Sequence, residues 1–100
     1  AETVTLNCFD SKLGISDGYF QLVLNSVDQT AKFAVWTEVE TSFWRDEFIA
    51  WHHISEYQSK LMMQMLFNRK SSELILSSIS IMESKNPRTR TSVYQCVRPF

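Results

Sequence analysis

Two cysteines, Cys8 and Cys96, are the residues whose chemistry is most readily anticipated from their positions. Each lies near one end of the chain, in a run of alternating apolar and polar residues that is typical of a β-strand. If the thiols pair, the bridge joins the first strand to the last and indicates an oxidising compartment. The alternative is two buried free thiols, because unpaired cysteine packs as a small hydrophobic residue. We favour the disulfide, since the terminal strands of small barrels commonly lie side by side.

Candidate catalytic groups do not converge in the sequence. His52 and His53 are adjacent, so on a strand they point to opposite faces and cannot bind one metal ion together. The acidic pairs at positions 38 and 40 and at positions 46 and 47 could serve acid–base chemistry, but they fit a solvated sheet edge better. No Gly-x-Ser-x-Gly segment is present. We therefore predict no catalytic residue, no metal, no cofactor and no enzymatic activity.

The aromatic residues between positions 36 and 51 are the more suggestive feature. Three of them are tryptophans, which could form a shelf for a ligand or for a partner's loop, because indole combines a flat apolar face with one donor. Trp36 and Trp51 also fit a small core. Trp44 is followed by the charged residue Arg45 and is predicted to make an exposed contact. The possible binding residues are Trp44, Arg45 and Trp36.

Length and charge exclude several classes of protein. A chain of 100 residues with net charge −1 is predicted to be one domain over residues 1–100, and its mixed charges argue against nucleic acid as a partner. The basic residues Lys85, Arg88 and Arg90, around Asn86 and Pro87, are predicted to lie in a solvated loop. No apolar run approaches the roughly 20 residues that span a bilayer. The start at Ala1 fits either a signal-peptidase cut or a trimmed chain.

Alternation of apolar and polar residues predicts two hairpins and two terminal strands. The first hairpin follows a turn at Ser16-Asp17-Gly18 and comprises residues 19–25 and 30–36. The second has arms at residues 61–67 and 73–81. It is preceded by a strand from Phe48 that ends at Ser55, which its β-branched and aromatic residues indicate. The terminal strands contain Val4, Leu6 and Cys8 at the start and residues 92–97 at the end. A helix over residues 56–67 is the alternative there, because apolar residues at 57, 61, 62, 65 and 66 would line one helix face.

These patterns together predict an all-β fold. We expect a small antiparallel barrel or sandwich in meander order, with its terminal strands joined by a disulfide between Cys8 and Cys96.

Several short motifs carry a resemblance to known proteins. Val-Thr-Leu-Asn-Cys at 4–8, Ile-Ala-Trp at 49–51, the run from Met65 to Leu74, and Tyr-Gln-Cys at 94–96 resemble small secreted bacterial β-domains of unknown function. In those domains an early cysteine pairs with one in a closing Tyr-x-Cys strand. The layout is also similar to that of periplasmic inhibitors of c-type lysozyme, which are small antiparallel barrels. The chain lacks the glycine-rich loops and the Tyr-x-x-Gly and Trp-x-Lys-Gly segments of those inhibitors, so only the architecture is carried over.

The oxidising compartment and the resemblance to small secreted β-domains lead to one expected function and two alternatives. We expect a secreted or periplasmic protein, made with a signal peptide, that acts as a non-catalytic binding or interaction module for a protein or a small ligand. The first alternative is a proteinaceous inhibitor of a cell-wall hydrolase such as lysozyme. The second is a small hydrolase.

Overall fold

Nine β-strands make up the fold in the part of the chain that the computed structural model describes, residues 3–55, 60–81 and 88–98. The only helical element in these residues is a single 3-10 turn at Ile15–Asp17. The strands are β1 Thr3–Asp10, β2 Phe20–Asn25, β3 Thr30–Phe33, β4 Val39–Glu40, β5 Phe43–Trp44, β6 Phe48–Ser55, β7 Lys60–Asn68, β8 Glu73–Ile81 and β9 Arg88–Val97.

The strands form one antiparallel sheet in meander order. Consecutive strands pair, except β4 and β5, and β1 also pairs with β9, so that the sheet runs β4-β3-β2-β1-β9-β8-β7-β6-β5. The sheet curls into a half-barrel. The predicted all-β meander, with its terminal strands side by side, is therefore confirmed.

The two edge strands, β4 and β5, are consecutive in the chain. Only Thr41 and Ser42 separate them, and these two residues cross from one sheet edge to the other. The amide of Thr41 donates a hydrogen bond to the Gln29 carbonyl at 3.0 Å, and the amide of Ser42 donates to the Ala50 carbonyl at 2.8 Å. These two hydrogen bonds connect the link to both halves of the sheet and thereby stabilise the curvature of the sheet.

The core lies on the inward, concave face of the sheet. Strand residues alternate between the two faces, and the inward ones are buried. Trp51 is at the centre, only 2% exposed. The other buried apolar residues are Leu6, Cys8, Leu22, Leu24, Ala31, Phe33, Ile49, Met63, Met65, Phe67, Leu74, Leu76 and Cys96.

The predicted disulfide between Cys8 and Cys96 is confirmed. The two residues lie directly opposite each other in the β1–β9 register, with their Cα atoms 4.0 Å apart. Both are buried in the core. The bridge spans 88 residues of sequence and covalently fixes the pairing of the first strand with the last.

Two hairpin turns share the same hydrogen-bond pattern, in which an asparagine side chain accepts from two backbone amides. At the end of β2, the Asn25 side chain accepts hydrogen bonds from the amides of Val27 and Asp28 at 3.0 and 3.1 Å. At the end of β7, Asn68 accepts in the same way from Lys70 and Ser71. Each four-residue turn then ends on a residue with positive φ, which is 53° at Gln29 and 60° at Ser72. Asparagine thus replaces glycine as the turn-forming residue.

Three sequence predictions need correction. The second arm of the first hairpin ends at Phe33 and not at residue 36, because Ala34 turns the chain with a φ of 57°. Arg88 and Arg90 lie in β9 and not in a loop, whereas Lys85, Asn86 and Pro87 fall outside the described residues. The alternative of a helix through residues 56–67 is wrong over Lys60–Asn68, which is β7; residues 56–59 fall outside the described part.

Replacing both cysteines should expose the contribution of the bridge. In the double variant Cys8→Ala, Cys96→Ala we expect the free energy of unfolding to fall by roughly 4 to 5 kcal/mol, because a loop of about 90 residues is no longer closed in the unfolded chain. Urea unfolding followed by circular dichroism measures this. A reducing agent should destabilise the native protein and leave the double variant unchanged. Equal stability of the native protein with and without the reductant would contradict the prediction.

Candidate functional site

The curled sheet encloses a cavity of about 560 Å³ at one of its ends. We call it the Trp44 cavity. Apolar side chains are the majority of its lining residues, and the end of β9 beside the disulfide contributes Cys96 and Val97. Its described lining residues are Val4, Leu6, Leu24, Ser26, Trp44, Ile49, Phe67, Arg69, Ser72, Cys96, Val97 and Arg98. Cavities of a few hundred Å³ with an apolar wall and a few polar groups are typical of small-molecule sites.

Trp44 lies in this wall because of the pairing of β5 with β6. It stands opposite the buried residue Ile49 and therefore points inward, half-buried against the core. The guanidinium carbon of Arg69 lies 5.9 Å from the centroid of the Trp44 ring, a cation–π distance. The predicted binding residue Trp44 is thus part of a cavity wall and of an arginine contact.

Arg45 contributes through its backbone. Its carbonyl accepts a hydrogen bond of 2.9 Å from Nη1 of Arg69. The Arg69 amide in turn donates to the Glu47 carbonyl at 2.9 Å, and the Arg45 amide donates to the Phe48 carbonyl. Arg69 is therefore held by the β5–β6 turn, while the Arg45 side chain is exposed and does not line the cavity.

The polar part of the Trp44 cavity is cationic. Arg69 and Arg98 are its two charged lining residues, and the described lining contains no aspartate or glutamate. A guanidinium carries five N–H donors, so Arg69 has more donors than the one it directs to the Arg45 carbonyl. Two guanidiniums above an apolar wall form a suitable environment for a ligand with an anionic group and an apolar body.

Trp36 lies away from this cavity, in an aromatic cluster at the other end of the sheet. Its ring stacks on His53 with centroids 6.1 Å apart, and it contacts Phe33 at 5.8 Å. Tyr94 packs against Phe33 at 5.6 Å and against Phe20 at 6.2 Å. Trp36 and Trp44 therefore belong to different sites, and Trp51 is in the core between them.

One serine–histidine contact has the spacing of a catalytic pair. The hydroxyl of Ser42 lies 3.2 Å from Nδ1 of His52, and both residues are exposed. Among the described residues no carboxylate bonds to His52 to orient its ring, which a catalytic triad requires. The described part of the chain also contains no group of three or more histidine, cysteine, aspartate or glutamate residues placed to hold a metal ion.

Arg69 and Arg98 are the cavity residues that the sequence analysis missed. A signal for both was present. Arg69 follows the buried residue Phe67 by two positions, and Arg98 follows the buried residue Cys96 by two. Because strand residues two apart share a face, extending the alternation past each strand end would have placed both arginines on the inward side.

Comparisons with protein-family models, with characterised proteins and with solved structures find no match to this chain. The site is therefore interpreted from its own chemistry. In the residues that the structure describes, no helix is long and apolar enough to cross a membrane.

Proposed function

We propose that the protein is a non-catalytic binding module whose Trp44 cavity takes a small ligand with an apolar body and an anionic group. The observation that carries the proposal is the combination of Arg69 and Arg98 with an apolar wall and no acidic residue in the described lining. The ligand's carboxylate, sulfate or phosphate would accept hydrogen bonds from the two guanidiniums. Its apolar part would lie against Trp44, Ile49 and Phe67.

We further propose an extracytoplasmic location, either secreted or periplasmic. The buried Cys8–Cys96 disulfide supports it, because structural disulfides persist in oxidising compartments and are rare in reducing ones. A binding protein in such a compartment must retain its cavity without cytosolic chaperones. Cys96, which the disulfide links to Cys8, is one of the residues that line the cavity, so the disulfide helps to keep the cavity in shape.

Ligands of equal chain length and different charge test the proposal. We expect decanoate to bind and to change the tryptophan fluorescence, decanol to bind more weakly, and decylamine to bind least, since the rim of the cavity is cationic. Titration calorimetry measures each affinity. Equal affinity for decanoate and decylamine would contradict an anion-selective site.

Substitution of the two cavity arginines tests the same proposal from the side of the protein. The double variant Arg69→Gln, Arg98→Gln should weaken decanoate binding at least about tenfold, because hydrogen bonds to charged groups each contribute roughly 1.5 to 3 kcal/mol. Arg45→Gln is the matched control: it removes an exposed charge nearby and retains the carbonyl that holds Arg69. Circular dichroism verifies the fold of each variant. A loss of binding in Arg45→Gln as large as in the double variant would point to a general charge effect.

Inhibition of a cell-wall hydrolase is a second candidate function, and one loop favours it. The β1–β2 loop is the longest connection within the described residues, and it contains the 3-10 turn Ile15–Asp17 between Gly14 and Gly18. It exposes several apolar side chains, of which Leu13 is 62% exposed. An inhibitor needs a projecting segment of this kind to enter an enzyme cleft.

A lysozyme assay distinguishes the second candidate from the first. If the protein is an inhibitor, it should slow lysis of a cell-wall suspension by c-type lysozyme, and Leu13→Asp should reduce the inhibition at least about tenfold because it places a charge in an apolar contact. Val27→Asp is the control, since Val27 is equally exposed on a different turn. No inhibition by the native protein would rule out c-type lysozyme as its target and leave the cavity proposal untouched.

A further inference from the structure

Three adjacent cross-strand rows of side chains lie on the outward face of β5–β9, next to a further row of Phe48, Asn68, Glu73 and Gln95. The register places the first row at Phe43, Ala50, Leu66, Ile75 and Val93. The second row is polar and consists of His52, Gln64, Ser77 and Thr91. The third consists of Ile54, Met62, Ile79 and Thr89. We call these residues the three-row face: two rows of mainly apolar residues with a polar row between them.

The apolar rows are exposed to an unusual degree. Their six largest apolar side chains are 39 to 57% exposed, and five of the six lie on the long strands β6, β7 and β8. With Phe48 at the margin, the two rows together expose apolar surface on the order of several hundred Å², a size that often marks an interaction site. A depression of about 300 Å³ opens between Ile54, Met62 and Ile79.

The other half of the same sheet does not show this pattern. On β1–β3 the outward residues are mostly polar, and the apolar residues Phe9 and Val23 are half-buried. The exposed apolar rows are therefore a property of β5–β9 and not of the fold as a whole. A surface that differs in this way from its own continuation indicates that something covers it.

The absence of charged side chains from the three-row face indicates what kind of surface covers this face. The three rows contain no aspartate, glutamate, lysine or arginine, and the charged Glu73 lies in the adjoining row, outside them. Such a face has no charge with which to select an oppositely charged partner. A second copy of the same face meets it without repulsion between like charges.

We propose that the three-row face is the interface of a homodimer. A two-fold axis that runs along the polar row in the plane of contact places the first row of one copy on the third row of the other. Leu66 then packs on Met62 of the second copy and Ile75 on its Ile79, while Gln64 faces Gln64. The arrangement is self-complementary, as an isologous interface requires. The two sheets would pack about 10 Å apart, as stacked sheets do.

The available area fits this assembly. A specific interface buries about 800 Å² on each partner, of which somewhat more than half is apolar. The exposed apolar surface supplies that share, and the polar row and the rim supply the remainder. The molecule measures 46 by 32 by 21 Å, so its flattened shape offers a broad face for the contact. This inference concerns the outer face of the sheet and is independent of the Trp44 cavity on its inner side.

Sedimentation equilibrium of the full chain tests the dimer. We expect a mass of twice 11.7 kDa at micromolar concentration. Leu66→Lys and Met62→Lys should each raise the dissociation constant at least about tenfold, because each brings a charge into an apolar contact. Gln21→Lys, on the outward face of β2, is the control and should leave the dimer intact. Circular dichroism verifies that each variant folds.

Cross-linking tests the position of the axis with a variant that adds no charge. Gln64→Cys should be captured as a covalent dimer by a short bis-maleimide, whereas Gln21→Cys should not, since both native cysteines are held in the disulfide. A monomer at all concentrations would overturn the proposal. So would a dimer that the two lysine variants leave intact, or one in which Gln64→Cys and Gln21→Cys cross-link equally. Binding of the monomer to phospholipid vesicles through the same residues would assign the face to a membrane surface and refute the homodimer.

Discussion

The pairing of β1 with β9 is the constraint on which the rest of this structure depends. Among the described strands, β1 and β9 form the one pair that joins segments far apart in sequence; every other pair joins neighbours in the chain. The disulfide fixes Cys8 opposite Cys96, and both side chains point inward. Because a slip of one residue exchanges the two faces of a strand, this bond also determines which residues of β1 and β9 enter the core. The position of Arg98 on the inward side follows from the same bond.

Much of the fold could be predicted because its signals are local. Alternation identified the arms of both hairpins, and it held at β6, whose predicted end at Ser55 is confirmed. The disulfide could be anticipated from the position of each cysteine within a strand pattern. The turns at Asn25 and Asn68 were harder to define, since asparagine and a positive φ at Gln29 and Ser72 replace the usual glycine.

The candidate site could be predicted only in part, because it depends on contacts between distant segments. The orientation of Trp44 follows from a pairing of only two residues in β5, which no alternation pattern can indicate. Its neighbour Arg69 comes from the turn after β7, and Leu24 comes from the opposite side of the curled sheet. Curling of the sheet brings these residues together, and curvature has no sequence signal of comparable strength. The same curvature places Trp36 and Trp44 in different sites, which their closeness in sequence does not indicate.

The ambiguity of β7 has a physical origin in the structure. Leu61, Met63, Met65 and Phe67 form the inward face, but Met62 and Leu66 on the outward face are apolar as well. A strand that is apolar on both sides loses the alternation that distinguishes it from a buried helix. The residues that made the prediction uncertain are thus those that the folded sheet leaves exposed. The loss of alternation in the β7 sequence and the exposure of apolar side chains on the sheet surface therefore have the same cause.

The short edge strands have a consequence for how this protein behaves at high concentration. A long unpaired strand edge offers a template on which other chains can add as further strands, which is the first step of fibril growth. Here β4 and β5 are two residues long, and the amides of Thr41 and Ser42, which lie between them, are occupied within the molecule. The two outermost strands are therefore too short to act as a template for a neighbouring chain. A protein that is rich in strands can in this way limit strand addition at its outermost strands without a helix to cover them.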